Sequence, residues 1–310
     1  MYADDHGRRH RGGITRDNVG PEQDVDDTPR GPERRLGVRF GFDHAVIFVS
    51  DLRRASDDFT ALGFQVVSGG VHAGGLTYNA LVPFADGTYL ELLAPTARWK
   101  LVALRLLGPY LGRIVRPQPF IRRSIRRMLA GEGLVDFALA CSPLSGILDV
   151  AQAIGGLDGP IPGARIRPSG ERISWNVALP RAPALPFLIE DITARSLRSP
   201  TNIEHPNGAS GIQIVSVVTA SFSSTVARYR TVLGREPFDA VAPIPRSRSV
   251  EFRLDNAAIR LVAPTGADHP LRRQLARGEG IYSVVLRAGQ AAHLDPARAH
   301  GAQITLARNP

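Results

Sequence analysis

The sequence has one cysteine, Cys141, in 310 residues. That excludes an intramolecular disulfide and a cysteine-cluster metal site, and it agrees with a reducing compartment. Lysine is confined to Lys100, so the positive charge is almost all arginine. No apolar run approaches the ~20 residues that span a bilayer. The early arginines are not followed by the apolar core of a secretory signal, so a cytoplasmic location is expected. A phosphate loop, a dinucleotide fingerprint, a zinc-protease motif and a nucleophile elbow are all missing.

The formal net charge of +9 is local rather than general. Within an insertion at 98–130, the stretch 98–127 holds Arg98, Lys100, Arg105, Arg113, Arg116, Arg122, Arg123, Arg126 and Arg127 and no acid. A solvated helical face is the commonest fate of such a run. Here Leu, Ile and Phe are interleaved with the arginines, which suits a lid over a binding cup, a homo-oligomer contact, or weak contact with an anionic membrane surface. A nucleic-acid partner is not expected, because no reader motif accompanies the patch. Residues 1–40 are rich in Asp, Arg, Gly and Pro with isolated apolar residues. Such a segment cannot offset its ordering entropy, and it reads as disordered or as an extension from a misplaced start.

Order begins at Phe42. FDHAVIFVS has the composition of a strand, Asp51 is a plausible helix N-cap, and Leu52, Ala55, Phe59 and Leu62 share one helical face up to Gly63. FQVVS, TYNALVPF and TYLELLA follow as strands, the last two joined by Ala85-Asp86-Gly87, a hairpin signal. The order β-α-β-β-β then returns from LVDFALACS, with a helix over 144–154 and strands ARIRPS, ISWNVALP and PFLIEDI. A third pass runs from IQIVSVVT through a helix over 223–233 to AIRLVAP. A fourth starts at GIYSVVLRA and stops after one helix and QITLAR. LLAPT at 92–96 and LVAPT at 261–265 echo one another across this plan.

Strand alternation puts His44 and Glu91 on otherwise apolar or aromatic strips. A buried carboxylate must be paired, protonated or bound to a cation. FDHAVIFVSDL, the helix and GF after it, and DGTYLELL resemble the opening module of the vicinal-oxygen-chelate superfamily. GGVHAGGLTYNALVPFADGTYLELLAP and GLVDFAL narrow the resemblance to its glyoxalase-like domain family. The resemblance implies an α+β fold of tandem βαβββ modules. One complete β-cup domain occupies 41–204 and a second, truncated paired-module domain occupies 205–310.

It also implies a divalent metal (Mn, Fe, Mg, Co or Zn) held by first-strand and fourth-strand residues. His44 and Glu91 match those positions, and aligning PFLIED with TYLELL adds Glu190. Glu91 and Glu190 are then also the catalytic candidates. The matching first-strand position in the second module is Phe137, and His72, Asn79 and Phe137 are the candidates for touching substrate. In the second domain Ile214 and Arg260 take the ligand positions, which marks that copy as structural. Two functions stay open: a metal-dependent lyase, isomerase or dioxygenase acting on a small oxygenated molecule, and a metal-free protein that binds or sequesters one. A third makes the basic segment a peripheral membrane adaptor.

Overall fold

The computed structural model describes residues 38–97, 123 and 127–308. The N-terminal segment up to 37 and the basic stretch, apart from Arg123 and Arg127, lie outside the described residues.

The chain is mixed α and β, mostly sheet, as the resemblance implied. Eight strands close a barrel: β1 (Arg39–Phe48), β2 (Val67–His72), β3 (Thr77–Pro83), β4 (Tyr89–Pro95), β5 (Gly133–Ser142), β6 (Leu157–Ile166), β7 (Arg172–Pro180) and β8 (Phe187–Asp191). Their order is β1-β4-β3-β2-β6-β7-β8-β5. β1 lies parallel to β4 and antiparallel to β5, so the two halves meet along β1–β5 on one side and β2–β6 on the other. The first strand begins earlier than Phe42, because Val38 and Phe40 are already buried.

Helix α1 (Leu52–Ala61) starts where expected, with the Asp51 carboxylate accepting from Arg54 N at 3.1 Å. It buries Leu52, Ala55 and Phe59 against the outside of the barrel. The expected helix over 144–154 is a shorter 3₁₀ turn, Leu144–Val150. Gly146 inside it and the Gly155-Gly156 pair beyond it deny a longer helix the propensity it needs.

A second, seven-stranded sheet follows: β9 (Gly211–Val218), β10 (Phe238–Asp239), β11 (Ser247–Arg253), β12 (Ala258–Pro264), β13 (Gly280–Ala288), β14 (Ala292–His293) and β15 (Gln303–Arg308). Its order, β10-β11-β12-β9-β13-β15-β14, repeats the barrel from β2 round to β7 but has no counterpart of β6, so it stays open. Where one more helix was expected before QITLAR, residues 296–301 form turns. Between Arg195–Arg198 (α2) and Leu271–Arg277 (α4) in chain order, α3 (Phe222–Leu233) lies over this sheet and reaches the barrel through Tyr229, whose hydroxyl donates to Ala184 O at 2.7 Å. One apolar core joins the outer face of the barrel to the sheet, from Phe42, Phe59 and Phe137 to Val215, Phe252 and Ile281. A separate cluster of Val46, Phe48, Leu93, Val177, Phe187 and Ile189 fills part of the barrel interior.

Candidate functional site

The site begins with an irregularity in β1. Its register with β5 slips between Phe42 and His44, leaving Asp43 as an extra residue. A regular strand sends neighbours to opposite faces, whereas a bulge lets both turn the same way. Asp43 and His44 are both buried, and His44 Nδ1 lies 2.6 Å from Asp43 Oδ1. Asn256, in the β11–β12 turn of the other sheet, holds the bulge in place. It accepts from Phe42 N at 2.8 Å and donates to Phe42 O at 2.9 Å.

Arg198 of α2 anchors Asp43 with two hydrogen bonds of 2.8 Å, and Arg195 adds an ion pair. The same Arg198 guanidinium grips Asp191 at 2.6 and 2.8 Å and the Tyr89 hydroxyl at 2.6 Å. Tyr89 in turn stacks on the His44 ring, centroids 4.5 Å apart, and Phe187 meets that ring edge-on at 5.4 Å. The imidazole therefore has its plane and its Nδ1 both determined, and Nε2 faces Glu91 Oε2 at 3.4 Å.

Glu91 is the meeting point. Its Oε1 accepts from Asn79 Nδ2 and faces His72 Nε2 at 3.6 Å. Asn79 passes the polarity on, its carbonyl accepting from Arg165 NH1 at 3.2 Å. His72 closes β2, which runs four residues beyond the end of the expected strand FQVVS, and its register partner across the seam is Arg165. Its Nδ1 contacts Thr77 Oγ1 at 3.0 Å and its ring meets Trp175 edge-on. The His72 side chain is 22% exposed against 4% for His44, so His72 is the imidazole that solvent reaches. Two glycines make room here. A Cβ on Gly69 would overlap the Asn79 carboxamide and crowd Arg165, and one on Gly163 would overlap the Trp175 indole.

Environment pushes the two histidines apart. Burial opposes charging His44, but the bond to Asp43 and the Glu91 carboxylate outweigh it and raise its pKa. Burial lowers that of His72 despite the attraction of Glu91. Glu91 is itself held down to about 2, the His44 and His72 rings and the Asn79 amide overcoming burial. Asp43 is held well below the carboxylate range, the charge of Arg198 overcoming the same penalty.

Of the expected residues, the structure brings together His44, Glu91, His72 and Asn79 but not Phe137 or Glu190. Phe137 is buried on the outer face of the barrel, stacked on Phe42. Glu190 also turns outward and accepts from Leu144 N at 3.2 Å. The cause is a slip of register. Ala45 pairs with Phe137 across β1–β5, Val46 pairs with Glu91, and Ala138 pairs with Phe187. A two-fold through the Ala45–Phe137 pair therefore puts Asp136 at His44's position and Phe187 at Glu91's. A shift by an odd number of residues turns a strand's side chains to the other face.

Asp136 is itself committed, bonded by Arg123 at 2.7 and 3.0 Å. Cys141 is a core residue whose thiol burial pushes up to about 12. His205 is occupied, accepting from Gln65 N at 2.9 Å and lying 2.9 Å from Pro83 O. Asp43, whose neighbour His44 should have pointed the other way, was not legible as a site residue from the sequence, and neither were Arg165 and Arg198.

The side chains present do not fit a resident divalent ion as the family implies it. Only two of the three expected ligands meet, and the equivalent positions in the second half are a phenylalanine and an aspartate held by Arg123. Among the described residues no group of three or more His, Cys, Asp or Glu is arranged to hold a metal. The Glu91 carboxylate is already compensated by His44 and Asn79.

A family model described as glyoxalase-like domain matches residues 42–233, more than half of the chain. No curated protein matches. Among solved structures, a hypothetical protein from Staphylococcus aureus superposes with a TM-score of 0.63 at 18% identity, covering 87% of this chain and 100% of that one. A mutant of 4-hydroxymandelate synthase from Streptomyces coelicolor superposes with a TM-score of 0.56 at 13% identity, covering 84% and 78%. At these identities the likeness is one of fold.

Proposed function

The chain belongs to the glyoxalase-like domain family, and from that premise we propose that its barrel moves a proton on a small oxygenated molecule, as a lyase or isomerase, without a resident metal. The observation that carries this reading is the pair of imidazoles, one buried and one at the mouth, that both direct Nε2 at Glu91. Titrating groups pushed in opposite directions by their surroundings are what an acid and a base require at one pH. His72 is the base, neutral and nearest solvent, and takes a proton from a carbon beside a carbonyl. His44 is the acid, kept charged by Asp43 and Glu91, and its Nε2–H, directed at Glu91 Oε2, is the proton offered to the oxygen on which negative charge develops. Glu91 orients both rings, and Asn79 sets which of its oxygens each ring sees. In an isomerisation the proton that His72 removes is returned to the neighbouring carbon, and in a lyase step the substituent on that carbon leaves with its bonding electron pair as the new double bond forms, so no oxidant is needed.

The test is solvent deuterium incorporation, followed by proton NMR, into a panel of 2-hydroxy aldehydes, 2-hydroxy ketones and 2-oxo acids. Exchange should survive treatment with EDTA. A positioned base contributes on the order of 100-fold or more, and His72→Ala should lose that much. Exchange that vanishes with EDTA and returns with a divalent ion would overturn the metal-free reading. Tight binding of a panel member with no exchange would make the protein a binder rather than an enzyme.

A further inference from the structure

Two arginines of the described residues are buried, Arg165 and Arg198, and their surroundings differ. Arg198 faces two carboxylates, Asp43 and Asp191. Arg165 has no carboxylate within ion-pair distance among the described residues. Its NH1 donates to the Asn79 amide oxygen and its NH2 to Arg198 O at 2.9 Å, while its Nε has no partner. Among the described residues the other buried side-chain polar atom without a partner is Ser199 Oγ, one residue beyond the carbonyl that Arg165 NH2 uses. Both orphaned groups therefore belong to one locality, beside the His72–Arg165 seam.

A guanidinium taken out of water needs a counter-charge or a full set of acceptors, and Arg165 feels Glu91 only at a distance, with NH1 and NH2 bonded and Nε not. Space is kept for it. A Cβ on Gly69 would stand 2.9 Å from its NH1 and one on Gly70 3.1 Å from its Cγ, so the two glycines of β2 let the side chain lie flat inside the wall. Burying an incompletely paired charge beside a site lowers stability, and such a cost persists where the group has a task with a ligand.

We propose that Arg165 is the anchor for an oxyanion, a carboxylate or a phosphate, carried by the molecule that enters the barrel. This rests on the reading that the barrel interior is the binding site, and it narrows the substrate class to anions. The incompletely bonded guanidinium supplies a charge-assisted hydrogen bond to the anionic group, while His72, adjacent across the seam, addresses the carbon chain beyond it.

The experiment uses the full chain without substrate. Melting temperature is followed against sodium acetate, sodium phosphate and sodium chloride at matched ionic strength, for the wild type, Arg165→Met and Arg165→Lys. The wild type should rise with acetate or phosphate by several degrees more than with chloride, and whichever of the two acts at lower concentration identifies the anion. Arg165→Met should lose the difference between anions and, freed of an unpaired buried charge, melt no lower than the ligand-free wild type. Arg165→Lys, which keeps the charge without the fork, should respond only at roughly tenfold higher anion concentration, the scale of one lost charged hydrogen bond. A wild type that treats all three salts alike overturns the proposal. So does an Arg165→Met protein that still discriminates, or one that melts well below the wild type, since either makes Arg165 a structural group. His72→Ala separates this from the function above. It should keep the anion response while losing exchange, so failure of the base leaves the anchor standing, whereas Arg165→Met should lose the anion response and weaken exchange on anionic panel members with it.

Discussion

On the inner face of the barrel Glu91 stands where the open sheet has Arg260, and His44 stands where the sheet has Ile214. The pairings that define these positions are the same, Val46 with Glu91 and His44 with Tyr89 in one, Ser216 with Arg260 and Ile214 with Ala258 in the other. Among the described residues the sheet nevertheless assembles only one ion pair there, Arg260 with Glu251. The difference lies in closure. In the barrel, β2 and β6 meet and bring His72 and Arg165 side by side. In the sheet the strand matching β2 is two residues long and nothing matches β6. A polar cluster that needs walls on every side exists only where the last strand is present, and the open sheet serves it from outside through Asn256 at the Phe42 bulge.

The sharpest way to break this comparison is to crowd the wall of the barrel at β2, behind Asn79 and Arg165. Gly69→Ala puts a methyl where the Asn79 carboxamide lies. Overpacking of this kind costs about 1–3 kcal/mol, and the variant should also push Asn79 off Glu91 and Arg165 off its acceptors. Chemical denaturation measures the first effect and the acetate response the second. An unchanged acetate response in a folded Gly69→Ala protein would mean that the seam does not position Arg165.

A pH series sharpens the contrast between the two histidines. His44 has a folded pKa above its ordinary 6.5, so its contribution is fully present below 6.5 and fades as pH rises through the raised value. His72 has a folded pKa below 6.5. The folded state then holds fewer protons than the unfolded one just below 6.5, and stability falls as pH drops through that window. Glu91, lowered from 4.5 to about 2, adds a contribution present above 4.5 and lost as pH falls to about 2. Wild-type stability should thus fall off on both sides of 6.5. His44→Gln should flatten the alkaline limb and His72→Gln the acid limb between 6.5 and 4.5. The reverse assignment of limbs would show that the two environments had been exchanged.

The sequence carried the architecture well and the site in part. Strand composition, the Asp51 cap and the Asp86-Gly87 turn mark elements by local rules, and the structure places them within a few residues. His44 and Glu91 were legible because a charged group interrupting an apolar alternation is visible in one dimension. Asp43 was hidden because a bulge depends on the partner strand. Glu190 and Phe137 were misplaced because matching FDH to VDF is one residue out of phase, and an odd slip leaves the letters plausible while turning every side chain over. Arg165 and Arg198 were hidden for another reason. Nothing local separates a buried arginine from an exposed one in a chain where nearly all positive charge is arginine.

The smallest effect belongs to the open sheet, and it tests whether that sheet has a site of its own. Arg260 and Glu251 side chains are each 18% exposed and pair with one another, so neither is left with unspent charge as Arg165 is. Replacing a paired ion couple by apolar residues of similar size is close to neutral, because the lost attraction is offset by the desolvation no longer required. The double variant Arg260→Met with Glu251→Met should therefore change unfolding stability by less than about 1 kcal/mol and leave both deuterium exchange and the acetate response at wild-type values. A loss of either response in a protein of unchanged stability would mean that the second sheet contributes to binding directly, and that the barrel is not the whole of the site.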